Sequence, residues 1–506
     1  MSRNREIHAI AALVTVLALG ACSGGGSPSG GGANFISSPA SYGSTSSNPE
    51  SGDSSSGSYR VGGTVSGLSG SGLTLQLNGG AGLAVAADGS FAFPVALPSG
   101  TAYAVTVSTQ PSVSREICSA VNGSGTVGTA GVTDVAISCS TVIGFLYQLG
   151  NNEINSYGIA TGTGIPIPFG STLATGAPPT VGLVAGPGGK YVYTLATGDP
   201  LGPGTVPPSP SSISTYAVNS ASGLLTPVGS PISAGNQPLS WAMASSGFLF
   251  VWDGNNVTGQ ASNPPWTLAE YSLDPKTGMP TLIGTALTLP PGTVTSFAVS
   301  ADGRFLYVLN GESGANTPSP PTLTAYAIDP STGAVTQGPT LTVGNNSGTL
   351  TLDPLGRFLY LIDVVWIAGT ETTGTVLSYA IDAQSGALTP IGAGTPVATM
   401  GTSLAPDPTG QYLYLTNILN PGATNGTIQG LSVASTGSIS TVGSTLVTYQ
   451  PFMAECDPSG QFVYALDSSS QVIETYIIST NPGTAGQLTP SGPGQRASAG
   501  VFVVVE

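Results

Sequence analysis

The 506-residue sequence holds one histidine, His8, four cysteines, and nine Lys and Arg against 24 Asp and Glu. Ser-His-Asp catalysis, an activated Cys-His pair and imidazole-held zinc all need a histidine beside the reacting group. Nothing downstream of His8 supplies one. What remains is oxygen chemistry. Seven aromatic-aliphatic-aromatic triplets recur along the chain, and in five cases the residue five positions after the first aromatic is Asp253, Asn310, Asp363, Asn417 or Asp467. The other two positions are Gly150 and Ala196. Such a set reads either as a polar rim for a ligand or for Ca²⁺, which prefers oxygen, or as Asx caps on the turn after each strand. Recurrence in unit after unit favours the cap. The segments that follow are long and uneven. Two carry Trp266 and Trp366, suited to sugar or protein recognition or to covering their own loops. No metal site, catalytic residue or cofactor is expected.

The elements that must position these residues follow from composition. Gly (73) and Pro (41) are abundant, and only 7% of residues are charged. Amphipathic helices need a charged wet face, so helical bundles and coiled coils are excluded and short strands between Gly/Pro turns are predicted. A net charge of −15 argues against nucleic acid, whose phosphates demand Lys and Arg.

Arg3 and Arg5 precede a short apolar run, Ala9 to Leu19, and then Leu19-Gly20-Ala21-Cys22. The run is too short to span a membrane and reads as an export signal over 1–21. The last four residues resemble a bacterial lipobox, which implies lipidation of Cys22 and attachment to a membrane. Ser23 in place of Asp after that cysteine implies the outer membrane. Residues 22–58 are rich in Ser and Gly and too polar to bury a core, so a disordered tether is predicted, with an r.m.s. span of roughly 33 Å.

Residues 59–141 read as a β-sandwich. Short alternating runs at 59–65, 73–78, 83–85, 91–93, 103–107 and 132–138 are separated by turn residues. The segment resembles immunoglobulin-like modules of bacterial surface lipoproteins. Cys118 and Cys139 fall within it and, in an exported chain, are expected to pair. Cys456 is expected to be a buried free thiol.

Residues 142–506 repeat. The triplets begin at Phe145, Tyr191, Phe248, Phe305, Phe358, Tyr412 and Phe462. Most follow a Gly turn such as Asp353-Pro354-Leu355-Gly356-Arg357 or Asp457-Pro458-Ser459-Gly460-Gln461. A second motif follows: Tyr271 to Gly278, Tyr326 to Gly333 and Tyr379 to Gly386, each Tyr-x-Leu/Ile-Asp-x-x-Thr/Ser-Gly. Four strands in about 50 residues, repeated seven times, predict an all-β fold, a seven-bladed β-propeller preceded by the small sandwich. The chain enters this region on a triplet strand and ends on Val501 to Val505, which is expected to supply the missing inner strand and close the ring.

These motifs resemble the lactonase-like seven-bladed propellers, the 6-phosphogluconolactonase and YVTN-repeat type. The resemblance implies the fold, and for activity it implies a lactone hydrolase using His and Arg at the channel mouth. This chain has no such histidine. Its propeller carries five basic residues, and Lys190, Arg304 and Arg357 recur at one blade turn, which marks them as turn residues. Lys276 lies in a turn as well, and Arg496 alone makes a poor phosphate site. The function expected is therefore a lipid-anchored envelope protein whose propeller binds a glycan or protein, or acts as a scaffold. The alternative is a 6-phosphogluconolactonase-type hydrolase working without histidine.

Overall fold

The computed structural model describes residues 57–505 apart from 113–114, 151, 176–179, 198–210, 236–237, 254–265, 290–293, 312–319, 344–347, 365–373, 398–400, 419–424, 448–449, 468–470 and 498–500. The expected signal, tether, Cys22 and Trp366 lie outside the described residues. The described chain is almost wholly strand, with one short 3₁₀ turn at Pro187–Gly189. The all-β class and the propeller predicted from the repeats are what the fold shows. Among the described residues no helix is long and apolar enough to cross a membrane.

The sandwich packs two sheets. One holds Ser58–Ser66, Gly89–Pro98, Glu116–Val121 and the first part of Val132–Gly150; the other runs Leu83–Val85, Leu73–Leu77, Ala102–Thr109 and Ser124–Thr126. Alternation explains the packing: Leu73, Leu75 and Leu77 face inward while Thr74 and Gln76 are only partly covered. The inward set joins Val61, Val65, Phe93, Val105, Val135 and Ile137 in one core. Cys118 and Cys139 sit opposite each other on adjacent antiparallel strands and are bonded. Glu116, 1% exposed, accepts the Ser69 amide on Oε1 (3.0 Å) and the Gly70 amide on Oε2 (2.9 Å), so a buried carboxylate has its hydrogen bonds.

Seven four-stranded sheets follow. Blades two to six run in simple order from inner to outer strand, as in blade three: Pro238–Met243, Phe248–Asp253, Trp266–Leu273 and Pro280–Leu289. Blade seven splits its outer position between Leu488–Pro490 and Gln495–Arg496. Blade one takes the second part of Val132–Gly150, then Glu153–Ala160 and Pro166–Leu173. Val501–Val505 pairs antiparallel with its triplet strand, Val503 opposite Tyr147. The C-terminus therefore completes the first blade. Apolar residues gather into seven clusters, one between each pair of neighbouring blades.

The division between residues 141 and 142 falls inside a single strand. Val132–Gly150 runs 19 residues without interruption. Its first part pairs with Ser58–Ser66 and Glu116–Val121, its second with Glu153–Ala160 and Val501–Val505. Ile117 of the sandwich is buried in the cluster shared by blades one and two. Arg115 donates to the Ile143 carbonyl (3.2 Å) and the Ser220 carbonyl (3.3 Å), and its guanidinium lies over the Phe145 ring.

Candidate functional site

The polar residues of the repeats fall into four groups, and three of them are occupied by the blades themselves. The first is the turn before each triplet. Asp407 Oδ1 accepts the amides of Gln411 (2.8 Å) and Tyr412 (2.6 Å), and Asp457 Oδ1 those of Gln461 (2.9 Å) and Phe462 (2.7 Å). Asp353 accepts the Arg357 amide and, bidentately, its guanidinium (2.8 and 2.9 Å). Arg357 also donates to the Gly410 carbonyl (2.7 Å) in the next blade and lies over Phe358. Arg304 pairs with Asp302 in the equivalent turn. Both arginines are structural, as their recurrence indicates.

The second group is the Asp-x-x-Thr/Ser-Gly turn. Asp274, Asp329 and Asp382 each cap the amides two and three residues on. Those bonds hold all three carboxyls below their usual value, Asp329 at about 2. The closing glycines have positive φ, +70° at Gly278, +78° at Gly333 and +70° at Gly386. They need to be glycine twice over. A Cβ on Gly278 would meet the Tyr191 ring at 2.5 Å, and one on Gly386 the Phe305 ring at 2.5 Å.

The third group is the last aromatic of each triplet. Tyr147 donates to the Gly223 carbonyl (2.6 Å), Tyr193 to Gly278 (2.8 Å), Tyr307 to Gly386 (3.2 Å) and Tyr464 to Gly164 (2.9 Å). Each bond crosses from one blade to the closing glycine of the next. Burial pushes these phenols well above their ordinary 10.0. Triplet and turn together form the joint between blades.

The fourth group is the Asx set. Asp253, Asp363, Asn417 and Asp467 are buried and Asn310 is partly buried. They lie at the ends of successive second strands, each in its own blade, and among the described residues no cluster of His, Cys, Asp and Glu has the geometry for a metal ion. Asp253 shows their use: its carboxylate occupies the space a Cβ on Gly235 (φ +96°) would take, against the segment leading into the inner strand. The Oδ1 atoms of Asn310 and Asn417 are buried without a hydrogen-bond partner. Trp266 packs edge-to-face on Trp252 of its own blade, ring centroids 6.2 Å apart, so it covers the blade that carries it.

Three features escape the sequence reading. Glu455 is the one carboxylate or basic side chain on the seven inner strands. Its carboxylate accepts the Val504 amide of the ring-closing strand, and burial outweighs that bond to push its pKa up to about 8. Its position in the channel wall was readable once the inner strands were placed, because the other charged residues of the described propeller fall in turns or on the second, third and outer strands. Glu270 is 4% exposed and likewise raised by burial. Trp241 packs on Gly182 of the adjacent inner strand, where a Cβ would meet the indole at 3.1 Å. Cys456 is unbridged, and burial raises its thiol well above 9.0, so it makes a poor nucleophile.

With this geometry the chain is a seven-bladed β-propeller carrying an N-terminal sandwich. A model of the family "Lactonase, 7-bladed beta-propeller" matches residues 314–496. A candidate 6-phosphogluconolactonase from Bacteroides uniformis superposes with a TM-score of 0.54 at 18% identity, covering 71% of this chain and 99% of that one. The periplasmic gluconolactonase of Pseudomonas aeruginosa does so with a TM-score of 0.51 at 18% identity, covering 72% and 99%. No curated protein matches the chain. At such identities the likeness shows the fold and carries no residue role across.

Proposed function

We propose that this protein is a lipid-anchored component of a bacterial cell envelope, probed from a tether, whose propeller serves as a binding or scaffolding module. One observation carries the reading: the recurring carboxylates, arginines and tyrosines hold turns and joints together, and the described inner strands offer small and apolar side chains with a single carboxyl. The sequence adds the export signal, Cys22 and the long uneven segments on one face. Glycan and peptide arrays probed with the chain from residue 22 onward test it. Saturable binding to a glycan or peptide class is the expected result, and efficient lactone turnover without such binding overturns it. Labelled-lipid incorporation that disappears in Cys22→Ser tests the anchor.

The family match and Glu455 favour a second reading, a lactone hydrolase. In it the Glu455 carboxylate takes a proton from a water that attacks the lactone carbonyl, the ring acyl C–O bond breaks, and the proton passes from Glu455 to the departing ring oxygen. The scarcity of cations makes an uncharged lactone the substrate rather than a phosphorylated one. Turnover rising with pH towards about 8, and lost in Glu455→Gln, is its signature.

A further inference from the structure

Six of the seven triplets end in tyrosine and the third ends in Phe250. Four of those six hydroxyls donate to the closing glycine of the next blade, while those of Tyr360 and Tyr414 are buried without a partner. Phe250 has nothing to donate to Gly333, the corresponding glycine of blade four. The residue opposite the last aromatic on the third strand is Ser156, Thr215, Ala325, Ser378, Gly430 or Thr475 in the other blades, and Glu270 opposite Phe250. The one long side chain in that column stands where the one hydroxyl is missing. Glu270 Oε1 lies 1.5 Å from where a Cβ on Gly333 would be, and it is buried with no hydrogen-bond partner.

We propose that the protonated Glu270 carboxyl donates to the Gly333 carbonyl in place of the absent tyrosine hydroxyl, which makes the joint between blades three and four the one that loosens in base. An ionised carboxylate has no proton to donate and would lie unpaired in a buried site, which is costly. Among the described residues no cation pairs with it. On its own blade the titratable groups are Tyr271, Asp274 and Lys276 in the following turn, and Asp253 at the end of the adjacent strand. From blade four they are Tyr326 in the shared cluster, Asp329 in the turn carrying Gly333, and Asp302 and Arg304, which pair with each other. Tyr307 belongs to the cluster on the far side of that blade. The strands Pro280–Leu289, Val294–Val299 and Val335–Thr342 carry none. Desolvation is the cause of the upward shift of Glu270 from 4.5. For an acid raised in the folded state, the stabilisation is complete below its unfolded value and is lost as pH rises through the folded one.

Thermal unfolding of the full chain from about pH 5 to about pH 9 tests this, with Glu270→Gln, Glu270→Ala and the double variant Phe250→Tyr/Glu270→Ala. The amide of Gln donates at every pH. The Gln variant should therefore melt with the wild type at the acid end and above it at the alkaline end. Glu455 and Glu474 are common to both chains, so their titration cancels in the difference. Glu270→Ala should melt below the wild type at the acid end, and restoring the tyrosine in that background should recover the loss. A Gln variant that falls with pH as steeply as the wild type, or a double variant no more stable than Glu270→Ala, would overturn the proposal.

Discussion

The sandwich has one core and one covalent bridge; the propeller has seven small cores and none. In the sandwich, thirteen buried residues form a single cluster and Cys118–Cys139 fastens two of its strands. In the propeller each cluster lies between two blades, and the same triplet-and-turn joint closes it. Loss of a sandwich residue is felt throughout its core. Loss of a joint is felt by two blades, and propeller stability approximates a sum of nearest-neighbour terms. The ring closure and the strand shared by both regions are the exceptions, because each couples parts that are otherwise independent.

Removing Val501–Val505 should therefore have the largest effect. Phe502, Val503, Val504 and Val505 are all buried, and each contributes roughly 1.5–3 kcal/mol, together comparable to a total stability of about 5–15 kcal/mol. Sedimentation and circular-dichroism melts should show aggregation or a lost propeller transition. A truncated chain that melts like the full one would sink the closure.

Ile117→Ala sharpens the comparison across the shared strand. The residue is 0% exposed in a cluster built mainly from blades one and two, and such truncations cost about 2–5 kcal/mol. Hydrogen exchange should quicken in 145–149 and 192–195 as well as in the sandwich. If only sandwich amides respond, the two regions are energetically separate.

Reduction of Cys118–Cys139, which closes a span of 21 residues, should cost about 3 kcal/mol. Exchange in 73–77 and 103–107 should rise while blades four and five stay protected. Equal loss in both places contradicts the division drawn here.

The smallest effects belong to the turn caps. Asp457→Ala leaves buried amides without their acceptor and should cost about 1–3 kcal/mol, whereas Asp329→Ala acts at an exposed turn and should lower the melt only slightly. Depressed carboxylates such as Asp329 contribute stability that is present above their ordinary 3.8 and lost as pH falls towards about 2. A wild-type acid titration that is no steeper in that window than one of Asp329→Ala would contradict the cap.

The repeat columns made the blades legible, because a joint needing two aromatics and a positive-φ glycine writes the same residues seven times. The structural role of Arg304 and Arg357 was readable for the same reason. The shared strand was not. Val132 to Gly150 reads as two segments, since nothing local distinguishes a strand that continues from two that abut. The Asx set shows the limit on function. Spacing placed Asp253 and Asn417 at strand ends, but only coordinates show that they stay within separate blades. Glu270 was readable as an exception in its column, once Phe250 opposite it had been paired across the strands.

The 19-residue strand has a mechanical consequence. Fully extended it would reach about 60 Å. The first described strand, Ser58–Ser66, lies parallel along its first part, and the last, Val501–Val505, pairs antiparallel with its second part. Tension applied at residue 58 against the propeller loads the first pairing in shear, so its backbone hydrogen bonds share the force at once rather than parting in turn. The same strand carries that force directly into the blade that closes the ring.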